Sequence, residues 1–265
     1  MPSTEENIKS RNWKITRHKK VTFKNPVLLE GLPGIANVGK IALDYLIEQY
    51  DADLVLSFFS DYLPNTVFVN EDNLVELPRI ELYHKKINGN DFLFLAGDVQ
   101  PSSEQGSFSF TKVILDLACE WKCSTIITLG GIGLQDIPEK PKVFCTGTDK
   151  DIMKEFKSVG AIDKIYGVVG PIIGVSGLLV GLAKKKNISA IALLAETYGH
   201  PVFLGLKSAK QTLRVLSKKY DFKLNYRELN KEIKLMDKEL QGEHVAQRSP
   251  KMERLRKIKE TSYIG

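Results

Sequence analysis

Cysteine and histidine are scarce in this 265-residue chain, with three of the one and four of the other. An odd number of cysteines in a chain this long argues against a disulfide framework and for a reducing compartment. Cys119 and Cys123 share a face of one predicted helix but have no histidine near them in sequence, and Cys145 stands apart. A zinc site is not expected, and buried small apolar residues are the better account. His18, His84, His200 and His244 are scattered and form no two-histidine helix motif. The opening residues, Met-Pro-Ser-Thr-Glu-Glu, lack the apolar core of a signal peptide, so the cytoplasm is the expected location.

Long uncharged runs are nearly absent as well. The one that needs an argument, residues 165–183, is 19 residues long and close to the length that crosses a bilayer. It holds Gly167, Gly170, Pro171, Gly174, Gly177 and Gly181, and such a density suits a turn followed by a tightly packed helix. The expectation is a loop around Gly170-Pro171 and a buried helix from about residue 175 to 185, with no membrane span. Basic charge is missing from the body of the chain: the net +6 resolves into +4 in residues 1–20, +4 in residues 223–265 and −2 between them. No aromatic residues are interleaved with the basic ones, so a nucleic-acid partner is not expected.

What is present is organised around residues 26–45, where an apolar run (Val27, Leu28, Leu29), a glycine-rich turn and a helical repeat (Val38, Ile41, Ala42, Tyr45) follow one another. Gly34-x-x-x-x-Gly39-Lys40 matches the first seven positions of a phosphate-binding loop, but Ile41 stands where a magnesium-ligating hydroxyl belongs. Asn37 cannot replace that hydroxyl, which has to follow the lysine at the helix start. A tight strand-to-helix turn is the preferred reading. If the loop did bind a ligand, Gly34, Asn37, Gly39 and Lys40 would act with Asp98 and Glu196, two acids that follow apolar strands. Gly130-Gly-Ile-Gly133 lacks the dinucleotide spacing and reads as another tight strand exit. Ser176 lies in Gly-Val-Ser-Gly-Leu, which fails the nucleophile elbow at its last position. Asp98, Glu104, Glu196 and His200 could meet at a sheet edge, but loop capping is the favoured role for them. No catalytic residues, metal or cofactor are assigned.

The chain divides into a flexible segment 1–15, an α/β core 16–221 and a helical C-terminal arm 222–265. Strands are expected at 18–23, 27–29, 54–59, 125–129, 143–146 and 189–195. Hairpins are expected at 66–77 and, through the Asn-Gly turn, at 79–96. Helices are expected at 107–121, 149–157 and 204–220, which together give an α/β/α sandwich with a mixed sheet. In the arm, Tyr226, Leu229, Ile233, Met236 and Leu240 follow a three-four spacing, an a/d seam only two heptads long. Burying five such side chains returns less than ordering the helix costs, so the seam must pack on its own domain or on copies of it. Oligomerisation is the more natural use. Beyond Gly242 and Ser249-Pro250 a second short basic helix is expected, and the chain ends in Tyr263, Ile264 and Gly265, a tail suited to docking in a partner's pocket.

The combination of Leu-Leu-Glu-Gly-Leu-Pro-Gly-Ile-Ala-Asn-Val-Gly-Lys ending at Lys40, Gly-Asp-Val-Gln-Pro from Gly97, Thr-Leu-Gly-Gly-Ile-Gly from Thr128 and Leu-Ala-Glu-Thr from Leu194 resembles the archaeal branch of the proteasome-assembly-chaperone family. The likeness covers about residues 15–220. It implies a fold similar to purine nucleoside phosphorylases, without known catalysis, built into homo-oligomers. Some members carry a C-terminal hydrophobic-Tyr-any tripeptide that enters pockets between proteasome α-subunits. In this chain Tyr263 is third from the end and follows Ser262, one residue out of that register. The expected function is a non-enzymatic, chaperone-like interaction protein that is a partner of itself and of proteasome α-subunits. The alternative is a nucleotide- or nucleoside-binding enzyme using the loop at residues 31–40.

Overall fold

The computed structural model describes residues 6–10, 12–167 and 170–242. In chain order the elements are β1 (Glu6–Ser10), β2 (Trp13–Arg17), β3 (Val27–Glu30), α1 (Val38–Gln49), β4 (Asp53–Phe59), β5 (Phe68–Val69) and β6 (Val75–Glu76). Next come β7 (Ile80–Ile87), β8 (Asn90–Gly97), α2 (Glu104–Glu120), β9 (Thr125–Leu134), β10 (Val143–Gly147) and α3 (Lys150–Ser158). The last are α4 (Val175–Ala183), β11 (Ser189–Tyr198), α5 (Leu206–Tyr220) and α6 (Arg227–Leu240). Nine strands form one mixed sheet in the order β1-β2-β4-β7-β8-β3-β9-β11-β10. Its centre, β8-β3-β9-β11, is parallel, and the flanking strands are antiparallel. β3 is buried at all four of its positions, as a central parallel strand covered on both faces must be.

Two hydrophobic layers result from the two-residue period of the strands. Leu29, Ile127 and Leu193 face α1, α3, α5 and α6, whereas Leu28, Ile126 and Leu93 face α2 and α4. The fold is therefore the expected α/β/α sandwich. The β7-β8 turn has positive φ at both Asn88 and Gly89 (49° and 82°), the type I′ geometry that Asn-Gly favours. α3 is capped as its sequence suggests, by the Asp149 carboxylate accepting from the N–H groups of Asp151 and Ile152.

Four expectations need correction. Residues 1–15 do not all lie outside the fold: Trp13 and Ile15 are buried core residues of β2, and β1 pairs beside it. The first expected strand at 18–23 is displaced to this earlier position, because Trp13 and Ile15 alternate with polar residues and present one apolar face. α2 starts three residues before the expected Ser107, where the Ser103 hydroxyl accepts from the Gly106 N–H. The glycines at 130–133 are not a strand exit. They continue β9, paired with β11 as far as Tyr198, and a Cβ on Gly131 would lie 2.8 Å from the Ile35 carbonyl oxygen.

Candidate functional site

The glycine turn between β3 and α1 is packed, not open. A Cβ on Gly31 would lie 2.5 Å from the Gly39 carbonyl oxygen, and one on Gly39 would lie 2.2 Å from that of Leu129. These two glycines let α1 sit directly on the sheet. Gly34 faces open space, and Ala36 and Asn37 turn the chain with φ of 50° and 52°. The Asn37 side chain is buried and makes no cap to the helix that follows. The turn is tied to a neighbouring loop by Gln100, whose Nε2 donates to the Pro33 carbonyl at 2.8 Å.

Lys40 projects from the first turn of α1 into a cleft of about 330 Å³ that is also lined by Asp44, Arg79, Glu81, Tyr83 and Asp98. Its Nζ lies 3.1 Å from Asp44 Oδ2 and 3.8 Å from Asp98 Oδ1, and Arg79 Nε lies 3.8 Å from Asp98 Oδ2. Lys40 and Asp98 of the sequence-derived ligand set are thus brought together. Glu196 is not. It lies on β11, three strands from β8, where its Oε2 accepts from the Lys142 N–H at 2.9 Å and holds the start of β10. With Glu48 the cleft walls carry four carboxylates against one lysine and one arginine. A lysine held between two carboxylates, in a cleft with excess negative charge, is poorly placed to receive phosphate.

Behind the turn, Glu30 is fully buried at the end of β3. Its Oε1 accepts from the Leu32 N–H at 3.0 Å, and its Oε2 is buried without a partner. Loss of hydration pushes its pKa up to about 7, against the smaller opposing effect of the Leu32 N–H. Thr128, in register with Glu30 on β9, likewise buries an unpartnered hydroxyl. Sequence reasoning missed Glu30, Asp44, Arg79 and Tyr83; the one available signal was an acid inside an apolar strand, directly before a glycine.

One end of the molecule carries the exposed apolar surface. The exposed large hydrophobic residues among those described lie on segments at the C-terminal end of the parallel strands: Ile35 after β3, Phe108 after β8, Ile137 after β9, Val202 after β11, Tyr166 and Ile173 before α4. The β5-β6 hairpin adds Val67, Val69, Leu74, Val75 and Leu77 at the same end, because β4 and β7 reach it beside Gly97.

α6 puts four of the five seam residues against the chain's own core, one of the two uses that the spacing allows. Leu229 and Met236 are buried in the chain's own core, and Tyr226 and Ile233 pack against it. Tyr226 also stacks on Tyr45 at 6.2 Å, and Lys207 pairs with Asp237 at 2.7 Å. A three-four spacing serves packing on one's own domain as well as on a copy, and here it is used internally. Only Leu240 of the five remains exposed. The pairing with Lys207, in the first turn of α5, places the end of α6 at the apolar end of the sheet. Tyr263, Ile264 and Gly265, with the expected second helix, lie outside the described residues.

The profile of the PAC2 family matches residues 28–243. The uncharacterized protein MJ1210 of Methanocaldococcus jannaschii is 29% identical over 215 residues, 81% of either chain. Among solved structures, that of Pyrococcus furiosus PbaB, described as an archaeal proteasome activator, has a TM-score of 0.81 at 27% identity over 88% of this chain and 99% of that one. P. furiosus PbaA, described as an archaeal homolog of proteasome-assembly chaperone, has a TM-score of 0.71 at 24% identity over 86% of this chain and 94% of that one.

Proposed function

The chain belongs to the PAC2 family, and from that membership we propose that it is a non-enzymatic, chaperone-like protein that assembles with copies of itself and presents its C-terminal arm to proteasome α-subunits. The observation that carries this reading is the concentration of exposed apolar side chains at the end of the sheet where α6 also finishes. Apolar patches of this kind mark surfaces used for binding. The roles of PbaB as a proteasome activator and of PbaA as a homolog of proteasome-assembly chaperone supply the kind of partner. The acid-rich walls around Lys40 favour this reading over a nucleotide-binding enzyme.

The partner is tested by capture of the full-length protein on immobilised α-subunits, beside a chain ending at Thr261. The reading predicts at least a tenfold loss of affinity on removal of residues 262–265. Equal affinity would remove the tail's role. Self-assembly is tested by light scattering, with a particle of several times 29.8 kDa expected and a particle of 29.8 kDa contradicting it.

A further inference from the structure

The β5-β6 hairpin is short of partners. It has two residues in each strand, and Val67, Val69, Leu74, Val75 and Leu77 are each 55–71% exposed. Isolated two-stranded hairpins are marginal in water, and one that displays five aliphatic side chains lacks the packing that would secure it. Its charge is one-sided: residues 66–77 contain Glu71, Asp72 and Glu76 and no basic residue, Glu76 being paired with Arg79 at 3.3 Å.

A segment near the end of this chain has the opposite character. Residues 251–259 carry five basic side chains against Glu253, a net +4, with Met252, Leu255 and Ile258 at intervals of three. That spacing puts the three apolar groups on one side if the segment is helical. The distance also fits. α6 ends beside the first turn of α5, next to β11, and β7 and β4 lie four and five strand positions from β11. At about 4.8 Å per strand this is roughly 19–24 Å. The eight residues 243–250 can span about 26–29 Å when extended.

We propose that the β5-β6 hairpin is the docking platform for residues 251–259 of the same chain, with Met252, Leu255 and Ile258 covering its aliphatic side chains and the basic residues facing Glu71 and Asp72. Docking there would fix the direction in which residues 260–265 leave the body. The inference does not depend on any proteasome partner, because both surfaces belong to one chain.

The test places p-benzoylphenylalanine at Val75 in the full-length protein, irradiates it at low concentration and maps the product by mass spectrometry. The expected result is a cross-link to residues 251–259 within a single chain, reduced severalfold in 1 M salt, where the Debye length falls to about 3 Å. The double variant Glu71→Lys/Asp72→Lys should lose the cross-link, and adding Arg254→Glu/Arg256→Glu should restore it. Cross-links between two chains, cross-links confined to other segments, or none would overturn the proposal, as would a yield indifferent to the charge reversal.

Discussion

Glu30 is a carboxyl whose proton is held by the fold. Its pKa rises from 4.5 to about 7 because burial removes its hydration. The folded state therefore keeps a proton that the unfolded state releases, so stability falls as pH rises from about 4.5 and levels off above about 7. The shift corresponds to about 3 kcal/mol lost at pH 8 relative to pH 4. Glu30→Gln should remove that dependence, giving a variant more stable than the native chain at pH 8 by up to about 3 kcal/mol and not at pH 4. Urea denaturation at the two pH values checks it, and parallel curves would contradict it. Gly39 and Gly34 give a second contrast within one motif. Gly39→Ala drives a methyl into the Leu129 carbonyl and should cost about 3 kcal/mol, whereas Gly34→Ala meets nothing within 4 Å and should stay within about 0.5 kcal/mol. Thermal melts of the two variants decide whether the motif is architecture. The sequence could announce the glycines but not what each one approaches, since Leu129 is ninety residues away and meets Gly39 only when β9 lies beside β3.

α6 sets the limit of what a repeat pattern can say. The seam was legible in its spacing and its burial followed, yet the surface it covers was not, because α1 and α5 present their apolar sides only after folding. Met236→Ala should accordingly cost about 2–5 kcal/mol, the usual range for emptying a buried methionine site. Truncation after Asp221 should lower the melting temperature and expose dye-binding apolar surface. Unchanged stability of both variants, measured by calorimetry, would mean that α6 is dispensable to the body. β9 failed in the opposite sense. Three glycines within four residues resemble punctuation, but Gly131 is needed where Ile35 and Thr197 close in on the strand. The hairpins and the capped helix α3 were legible because their determinants are local: an Asn-Gly turn and an Asp at the N-cap.

At the scale of the molecule, one end carries both the polar cleft and the apolar exposure. The cleft around Lys40 is occupied by its own ion pairs, and the apolar side chains gather on the loops at the end of the parallel strands. That gathering was not visible in the chain order, where Ile35, Val75, Ile137, Ile173 and Val202 are far apart and look like ordinary loop residues. The sheet order brings them to one end. A binding body so arranged should alter the assembly of its partner without turning over a substrate. The most direct measurement is the time course of proteasome particle formation from separated α- and β-subunits, followed by native electrophoresis with and without the full-length protein. The account predicts faster or more complete appearance of assembled particles, and an unchanged rate and yield over a saturating range of the protein would contradict it.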